Sequence, residues 1–591
     1  MDHDIKHEVA QVNHTTHSEK TNGDDIQTAV RNGSLPQAVG GEHGAIDIAH
    51  KGGWQVDALM EEMEAECAAN PKKKSIFDLE FANPKVFTFL LVAFASMGGM
   101  LSGLDQSLIS GANLFLPVDL NLTAQQNSLV NSGMPLGAVA GAFILSPCNE
   151  YLGRKNSILF SCLLYTIGAG LEAGSINYGM IIAARVILGL GVGLEGGTVP
   201  VYVAETVERR LRGNMVSLYQ FNIALGEVLG YAVAAMFLSV PGNWRYILGS
   251  SLVFSTIMGI GMLFMPESPR FLMHRGKPVE AYRVWKRIRG VATMDSREEF
   301  FVMKVSTEEE EAVVAAGRTK NYPWMDLFTV PRARRALVYA NIMIFLGQFT
   351  GINAIMYYMS VLMTQVGFND VEANYMSLVG GGALLIGTIP AIFLMETCGR
   401  RFWAIAMLPG FFVGLVLVGV SYQIESQTPK LAVYLTGLVL YEIFFGSYAC
   451  LTWVIPAEVY PTYLRSYGMT TSDAWLFLSS FIVTYNFTAM QNAMSKIGLA
   501  LGFYGGIAVL GWFYQLFFMP ETKDKSLEEI DLIFEKPTME IVRENIKNVK
   551  ETTADLMAFR WKKVFFQHST RPRNVMDDKP ALYDHDQKPA L

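Results

Sequence analysis

The sequence predicts an all-α membrane protein, with about twelve transmembrane helices arranged as two six-helix bundles. Its composition supports this class, because 51% of the 591 residues are apolar and 17% are charged, which is too apolar for an ordinary soluble protein. Its apolar segments support it too, because each has the length of a membrane-spanning helix, whereas a barrel needs shorter, alternating strands. A central polar stretch divides these segments into six and six.

The apolar segments follow one another along the chain with short connections between them. They cover residues 86–113, 127–148, 156–175, 179–202, 214–238, 245–265, 337–363, 373–397, 402–422, 431–456, 468–490 and 496–519.

Domain boundaries follow from these segments. We expect a disordered cytosolic N-terminal tail over residues 1–84, because this stretch is polar and lacks the hydrophobic core of a cleavable signal. The bundles then cover 85–265 and 337–519, a cytosolic linker with short helices covers 266–336, and a cytosolic C-terminal tail covers 520–591.

Basic residues predict the orientation. Lys and Arg concentrate in alternate connections, for example "GRK" at 153–155, "ERRLR" at 208–212 and "GRR" at 399–401. The positive-inside rule places these connections and both termini in the cytosol. Asn121, in the sequon "NLT", then faces the outside and is a candidate glycosylation site, although a sequon can also occur by chance.

Composition and motifs also exclude several functions. The formal net charge is −7 and no basic tract is interleaved with aromatic residues, so we expect no nucleic-acid partner. The five cysteines show no CxxC spacing, which predicts neither a metal site nor a disulfide framework. No nucleophile–base set or phosphate loop stands in a suitable context, so we expect no enzymatic activity and no cofactor.

The two halves of the chain repeat three motifs at matching positions. "NEYLGRKNS" pairs with "METCGRRFW", "PVYVAETVERRLRG" with "IPAEVYPTYLRS", and "PESPRFL" with "PETKDKSLEEID". Internal repeats of this kind are typical of transporters that hold their substrate between two related bundles.

Asp105 is an unusual residue, because it lies inside the first apolar segment, in "SGLDQSLISG". A carboxylate at that depth costs roughly 2.5–3.5 kcal/mol on insertion scales, and intramembrane ions are normally paired. Arg185, in the fourth segment, is its natural partner. The pair is either functional or a static buried salt bridge.

Five motifs together resemble the sugar porter family of the major facilitator superfamily. They are RxxxGxGxG at 185–193, PxYxxE at 200–205, "PESPR" at 266–270, "GINAIMYY" at 351–358 and "PETK" at 520–523. The resemblance covers about residues 85 to 535. Within the family, the sequence resembles fungal hexose and polyol porters, including myo-inositol transporters. It implies the major facilitator fold and a plasma-membrane transporter that works as a monomer in the lipid bilayer on a sugar or polyol and protons.

The resemblance also implies roles for individual residues. Asp105 would be the proton-coupling carboxylate, with Arg185 as its partner. A cytosolic gate would hold the two halves together when the protein faces outward. Its residues would be Arg154, Glu205, Arg212, Arg400, Glu458 and Arg465. The alternative is that these charges only set the membrane topology and end the helices. The family's sugar-binding positions correspond to Gln220, Gln348, Asn353, Tyr357, Tyr358 and Trp453, although each could instead serve helix packing.

Departures from the family pattern make the substrate harder to infer. Gly347 replaces the first Gln of a usual pair, Leu384 stands near a usual Asn, and "ACLTW" replaces the hinge of the tenth helix. Unusual acids occur instead at Glu195, Glu227, Glu442 and Asp473. Glu227 follows Gln220 by two helical turns and so shares its face, which makes it a candidate selectivity residue; any of the four acids could also be neutral or interfacial.

Proton-coupled symport of a hexose or cyclic polyol such as myo-inositol, by alternating access, is therefore the first functional hypothesis. The alternatives are transport of a different solute, such as a charged or secondary metabolite, and facilitative uniport on the same fold. A nontransporting nutrient receptor is disfavoured, because only about seventy residues follow the last apolar segment.

Overall fold

The computed structural model describes residues 53–71, 83–208, 212–315, 323–461, 464–523 and 527–560, and every regular element in these ranges is a helix. Twelve spans correspond one to one to the predicted apolar segments. The first six are Pro84–Ala112, Ala124–Tyr151, Arg154–Ala173, Tyr178–Thr206, Arg212–Phe237, and Asn243–Gly249 continued by Ser251–Leu263. The last six are Pro331–Gln348 continued by Ile352–Val366, Asp370–Cys398, Arg400–Ser421, Gln427–Val459, Arg465–Ala493, and a π-helical turn Gly498–Tyr504 continued by Gly505–Phe518.

Ten of these spans are long and apolar enough to cross a membrane. The other two, the fifth and the eleventh, are comparably long, at 26 and 29 residues. Both pack extensively against the opposite half of the protein, the fifth on the eighth and the eleventh on the second. Each of these two spans therefore lies at the interface between the halves.

The helix ends also show the internal repeat. Thr123 caps the second span in a capping box with Gln126, and Asn369 caps the eighth span in a capping box with Glu372. In each box the side chain of the cap accepts a backbone N–H that the first helical turn leaves unpaired.

The seventh span differs from the prediction of one continuous helix over 337–363. It starts earlier, at Pro331, stops at Gln348 and resumes at Ile352. Gly351 has a φ of 97°, in the left-handed region that interrupts a helix and favours glycine. A second kink lies at Tyr358, whose φ and ψ are −115° and 15°. Discontinuous helices of this kind commonly form substrate sites in transporters.

The linker contains the expected short helices, at Pro269–His274, Pro278–Ile288, Met294–Ala315 and Pro323–Thr329. They pack at the end of the bundle where the first span begins, and Thr88 Oγ1 donates to the Ile288 carbonyl at 2.5 Å. We call this end the linker face, and the other end, where the first span leads into the second, the opposite face.

A helix over Gly53–Ala69 is a correction to the sequence analysis, which predicted disorder over the whole of 1–84. Its apolar face, which includes Val56 and Met63, packs on Tyr282 and Trp285 of the linker helices. The prediction was wrong because it relied on the overall polarity of the stretch, whereas the few apolar residues of this helix are buried against the linker helices. Residues 1–52 and 72–82 lie outside the described ranges.

Beyond the twelfth span, the C-terminal segment forms helices Leu527–Glu535 and Thr538–Met557. The first lies where the sequence predicted part of a tail, and it buries Ile530 and Phe534 against the bundle core. Residues 561–591 lie outside the described ranges.

Candidate functional site

A buried ion network joins the first, third and fourth spans. Arg185 Nη1 lies 2.5 Å from Asp105 Oδ1 and 3.2 Å from Glu172 Oε1. Arg185 also donates from Nε to the Val130 carbonyl of the second span at 3.2 Å. The exposed fractions of the Asp105, Glu172 and Arg185 side chains are 2%, 1% and 0%. The predicted Asp105–Arg185 contact is therefore present, and Arg185 is shared with a second carboxylate.

The pairing of Asp105 with Arg185 uses only one oxygen of the carboxylate. Asp105 Oδ2 and Arg185 Nη2 are buried and have no hydrogen-bond partner among the described residues. A bidentate contact would have engaged both atoms. The free oxygen Oδ2 can accept a proton before the contact through Oδ1 is broken.

Gln220 and Trp453 come together across the two halves. Trp453 Nε1, on the tenth span, donates to Gln220 Oε1, on the fifth span, at 2.9 Å. The neighbouring Tyr219 ring meets the Trp453 ring edge-on, with centroids 4.8 Å apart. Each half thus supplies one predicted substrate residue to a single polar contact at the interface, which has to rearrange when a ligand binds to these groups.

The predicted binding residues of the seventh span surround its break. Gln348 ends the first part, Asn353 begins the second, and Asn353 Nδ2 donates to Gln348 Oε1 at 2.5 Å. Tyr357 is buried and its hydroxyl lies 3.7 Å from Met134 Sδ of the second span. Tyr358 stacks obliquely on Phe487 of the eleventh span, with centroids 5.0 Å apart.

The kink at Tyr358 is held by side chains from the other half. Tyr231 of the fifth span donates from its hydroxyl to the Met356 carbonyl at 3.0 Å. Ser110 of the first span accepts from the Ser360 N–H at 3.1 Å. Met356 and Ser360 are four residues apart, so they are the carbonyl and N–H that a regular helix would pair. We call Tyr231 and Ser110 the clamp; it ties the seventh span to the N-terminal half.

The clamp continues into a polar cluster towards the opposite face. Ser360 Oγ lies 3.2 Å from Ser377 Oγ and 3.4 Å from Asn374 Oδ1, both on the eighth span. All of these side chains are fully buried. The two halves are therefore in contact at the opposite face in this conformation.

The unusual acids of the sequence lie in two groups between the halves. Glu195 of the fourth span and Asp473 of the eleventh are within electrostatic range of each other, and so are Glu227 of the fifth and Glu442 of the tenth. All four are at most 3% exposed. In the described part of the chain, neither oxygen of Asp473 or Glu442 has a hydrogen-bond partner, nor has Oε2 of Glu227.

No hydrogen bond between Glu227 and Gln220 is found among the described residues, although both side chains are buried on the fifth span. Glu227 instead lies within electrostatic range of Tyr357, beside the broken seventh span. Its position next to one predicted binding residue keeps it a candidate for selectivity.

Charged residues at the linker face repeat between the halves. Arg154 pairs with Glu205 at 2.8 Å, and Glu205 also accepts from the Ser268 hydroxyl. In the C-terminal half, Arg400 pairs with Glu458 at 2.9 Å, and Glu458 accepts from the Thr522 hydroxyl at 2.8 Å. These two ion pairs lie within their own halves and do not bridge them.

The remaining gate residues are placed less fully. Arg465 begins the eleventh span at the linker face, and Arg212 begins the fifth span. The side chain of Arg212 lies outside the described residues. The role of this set as a gate stays a prediction.

Two further acids cap helices at the linker face. Glu267 accepts the backbone N–H groups of Arg154 and Lys155 at 2.9 and 3.1 Å, and Glu521 accepts those of Arg400 and Arg401 at 2.9 and 3.1 Å. Burial raises the pKa of Glu267, against the effect of these N–H groups. Each carboxylate satisfies a helix N-terminus and favours its dipole. The paired PES and PET motifs thus have matching structural roles.

Asn121 lies in the exposed connection between the first two spans at the opposite face, with a φ of 48°. Its glycosylation stays a prediction. Among the described residues, no group of three or more His, Cys, Asp or Glu side chains is arranged to hold a metal ion.

Glu172 is the main site residue that the sequence analysis missed. It stands near the end of the third apolar segment, in "YTIGAGLEAG". The rule that singled out Asp105, an acid inside an apolar span, applies equally to Glu172. The sequence analysis did not apply this rule to Glu172.

Comparisons with known proteins agree with this architecture. The model of the family described as "Sugar (and other) transporter" matches residues 91–534. The chain is 70% identical over 539 residues to the "Myo-inositol transporter FST1" of Gibberella moniliformis, covering 90% of this chain and 94% of that one. It is 27% identical to the human "Proton myo-inositol cotransporter", covering 76% of this chain and 82% of that one.

A solved structure supports the fold independently. The proton:xylose symporter XylE of E. coli, bound to 6-bromo-6-deoxy-D-glucose, matches with a TM-score of 0.67 and 24% identity, covering 76% of this chain and 100% of that one. XylE is a protein of the major facilitator superfamily. The family match over most of the chain shows that the protein is a multi-pass membrane transporter rather than an enzyme and belongs to the sugar transporter family, with the fold of the major facilitator superfamily.

Proposed function

We propose that this protein is a proton-coupled symporter that carries a cyclic polyol, myo-inositol, into the cell across the plasma membrane by alternating access. In this orientation the linker face and both termini are cytosolic, in line with the positive-inside rule, and the monomer is the working unit in the lipid bilayer. The observation that carries the proposal is the buried Asp105–Arg185 contact at 2.5 Å, in a chain 70% identical to a myo-inositol transporter.

Asp105 is the proton-binding residue in this mechanism. Its free oxygen, Oδ2, takes the proton, and the neutral carboxyl then holds Arg185 less strongly than the carboxylate does. The first and fourth spans are thereby released to move relative to each other. Proton binding thus lowers the barrier to the conformational change that carries the substrate.

The substrate binds between the halves, at the Gln220–Trp453 contact and at the break of the seventh span. The amides of Gln220, Gln348 and Asn353 can both donate and accept, as the hydroxyls of a cyclitol require. The Trp453 ring suits the apolar C–H face of such a ring. Glu227 adds an acceptor whose Oε2 has no protein partner in the described part of the chain, and we assign it to hydroxyl selectivity.

Alternating access requires contacts that form on one side of the substrate while those on the other side break. The clamp closes the opposite face in this conformation. The repeated ion pairs Arg154–Glu205 and Arg400–Glu458 keep the linker-face ends of each half rigid, and we assign gating at that face to this set together with Arg212 and Arg465.

Uptake of labelled myo-inositol and of hexoses in transporter-null cells, with and without a protonophore, tests the proposal. We expect concentrative uptake of myo-inositol that the protonophore abolishes. Uptake that the protonophore leaves unchanged identifies facilitative uniport. Absence of both myo-inositol and hexose uptake, in cells where the protein is present at the surface, identifies a different solute.

A charged solute is the second candidate, and the buried acids favour it. Glu442 and Asp473 have no hydrogen-bond partner among the described residues, and buried carboxylates are normally paired with cations. A cationic substrate would supply that partner. Competition of labelled uptake by cationic and by neutral polyols, compared between the unmodified protein and Asp473→Asn, separates the two cases, since removing the carboxylate weakens the binding of a cationic substrate and leaves that of a neutral polyol unchanged.

A further inference from the structure

Glu172 is a second carboxylate on the guanidinium that pairs with Asp105. Its Oε1 lies 3.2 Å from the same nitrogen, Arg185 Nη1, that contacts Asp105 Oδ1 at 2.5 Å. Two carboxyl groups therefore share one guanidinium in a site that is 0–2% exposed, and when both are ionised the negative charges outnumber the positive one. One positive charge compensates only one of them.

We propose that Asp105 and Glu172 together form the proton-binding site, with Glu172 supplying the second negative charge that draws a proton onto the shared network. This inference rests on the proposed function, because it concerns the proton of the same symport cycle. With both carboxylates ionised the network carries a net charge of −1, and one proton brings it to zero. A buried network is more stable when neutral, since desolvation penalises the uncompensated charge.

Glu172 also explains how Arg185 stays in place after Asp105 is protonated. With Asp105 as its sole counter-ion, Arg185 would become an unpaired buried cation, a state that desolvation strongly disfavours. In the observed network, Arg185 keeps its contact with Glu172 when Asp105 is neutral. The first span is released while the third and fourth spans stay joined, so the proton acts on one contact only.

Other polar groups around the network do not supply a second cation in the described part of the chain. Tyr165 of the third span donates from its hydroxyl to the Leu101 carbonyl at 2.9 Å. Tyr357 of the seventh span is within electrostatic range of Arg185. Glu195 of the fourth span is within electrostatic range of Tyr165. Arg245, on the sixth span, donates to the Ser175 carbonyl and contacts Asp119 instead.

The pH profile of transport tests this inference. Initial uptake of myo-inositol into proteoliposomes is measured between about pH 4.5 and 8 for the unmodified protein, Glu172→Gln and Glu172→Ala. In both variants Asp105 and Arg185 form a balanced pair, so the proton must compete with the full attraction of Arg185. We expect the pH of half-maximal uptake to fall by about 1–3 units, the range over which a neighbouring charge shifts a carboxyl group.

Three controls make the result specific. Glu172→Asp restores the charge and is expected to recover most of the original profile. Asp119→Asn neutralises an acid that contacts Arg245 outside this network, and it is expected to leave the profile unchanged. Counterflow exchange of myo-inositol, which needs no proton gradient, shows that each variant is folded.

The outcomes separate the inference from the proposed function. If uptake by the unmodified protein does not respond to pH or to a protonophore, symport itself is wrong. If uptake by the unmodified protein depends on pH, and either Glu172→Gln or Glu172→Ala is active and keeps the original pH profile, Glu172 has no part in proton binding and the inference is overturned.

Discussion

Replacing Tyr231 by Phe removes one bond of the clamp without changing the packing of the ring. The hydroxyl donates to the Met356 carbonyl at 3.0 Å, and Tyr231 is fully buried. The loss leaves a buried carbonyl without this donor, which costs about 1–3 kcal/mol. Because each 1.4 kcal/mol is a factor of ten, we expect the population open at the opposite face to rise by roughly 5- to 140-fold relative to the closed state.

Spin labels at the opposite face measure this change. Val118 and Val371 are 76% and 53% exposed and belong to different halves, so cysteines placed there, in a background without the five native cysteines, report the distance between the halves. Electron–electron resonance should show a larger long-distance fraction in Tyr231→Phe.

A matched control removes a comparable bond inside one half. Tyr202, fully buried on the fourth span, donates from its hydroxyl to the Pro266 carbonyl at 2.6 Å. We expect Tyr202→Phe to leave the distance distribution as it is. If Tyr231→Phe also leaves it unchanged, or if both variants broaden it equally, the clamp does not hold the opposite face closed.

Three further predictions concern other contacts. Trp453→Phe keeps an aromatic face but removes the indole N–H that can donate to a substrate hydroxyl once its contact with Gln220 opens, so KM for the substrate should rise by about 5- to 30-fold in uptake assays; an unchanged KM would show that this N–H is not part of binding. Met63→Asp should release helix Gly53–Ala69 from the linker helices and expose it to Glu-C protease. Asp57→Asn should not, because it removes only an exposed ion pair. Equal cleavage of both variants would contradict the idea that apolar contacts hold this helix in place. Glu442→Leu should stabilise the detergent-purified protein against thermal unfolding by about 1–3 kcal/mol, because it removes a fully buried acid whose oxygens have no hydrogen-bond partner among the described residues. A lower melting temperature would indicate a polar role for Glu442.

The membrane architecture was largely predictable from the sequence. Apolar length places most of the spans, because a backbone in lipid must satisfy its own hydrogen bonds within a helix, although, in the described part of the chain, the fifth and eleventh are not among the ten that are long and apolar enough to cross a membrane. The break in the seventh span was not predicted, because the apolar run continues through it. The break depends on the backbone conformation of Gly351, and the second kink, at Tyr358, depends on side chains from the other half, Tyr231 and Ser110.

The site was predictable where charge is costly, and less so where polar residues pair with neutral ones. Asp105 and Arg185 stood out because a bilayer tolerates few ions, and the structure brings them together. Gln220 and Trp453 were identified by resemblance, but their contact across the halves depends on tertiary packing. The docking of Gly53–Ala69 escaped notice because its apolar face is short and surrounded by acidic residues.

Steady-state accumulation of myo-inositol by Asp105→Asn, in proteoliposomes under an imposed proton gradient, tests the central claim most directly. The Asn side chain keeps a similar shape but neither carries the charge nor binds the proton. We expect the ratio of internal to external myo-inositol to fall to about one while counterflow exchange continues, because the alternating conformational change remains but is no longer linked to the gradient. A ratio that stays above one would contradict the assignment of proton coupling to Asp105.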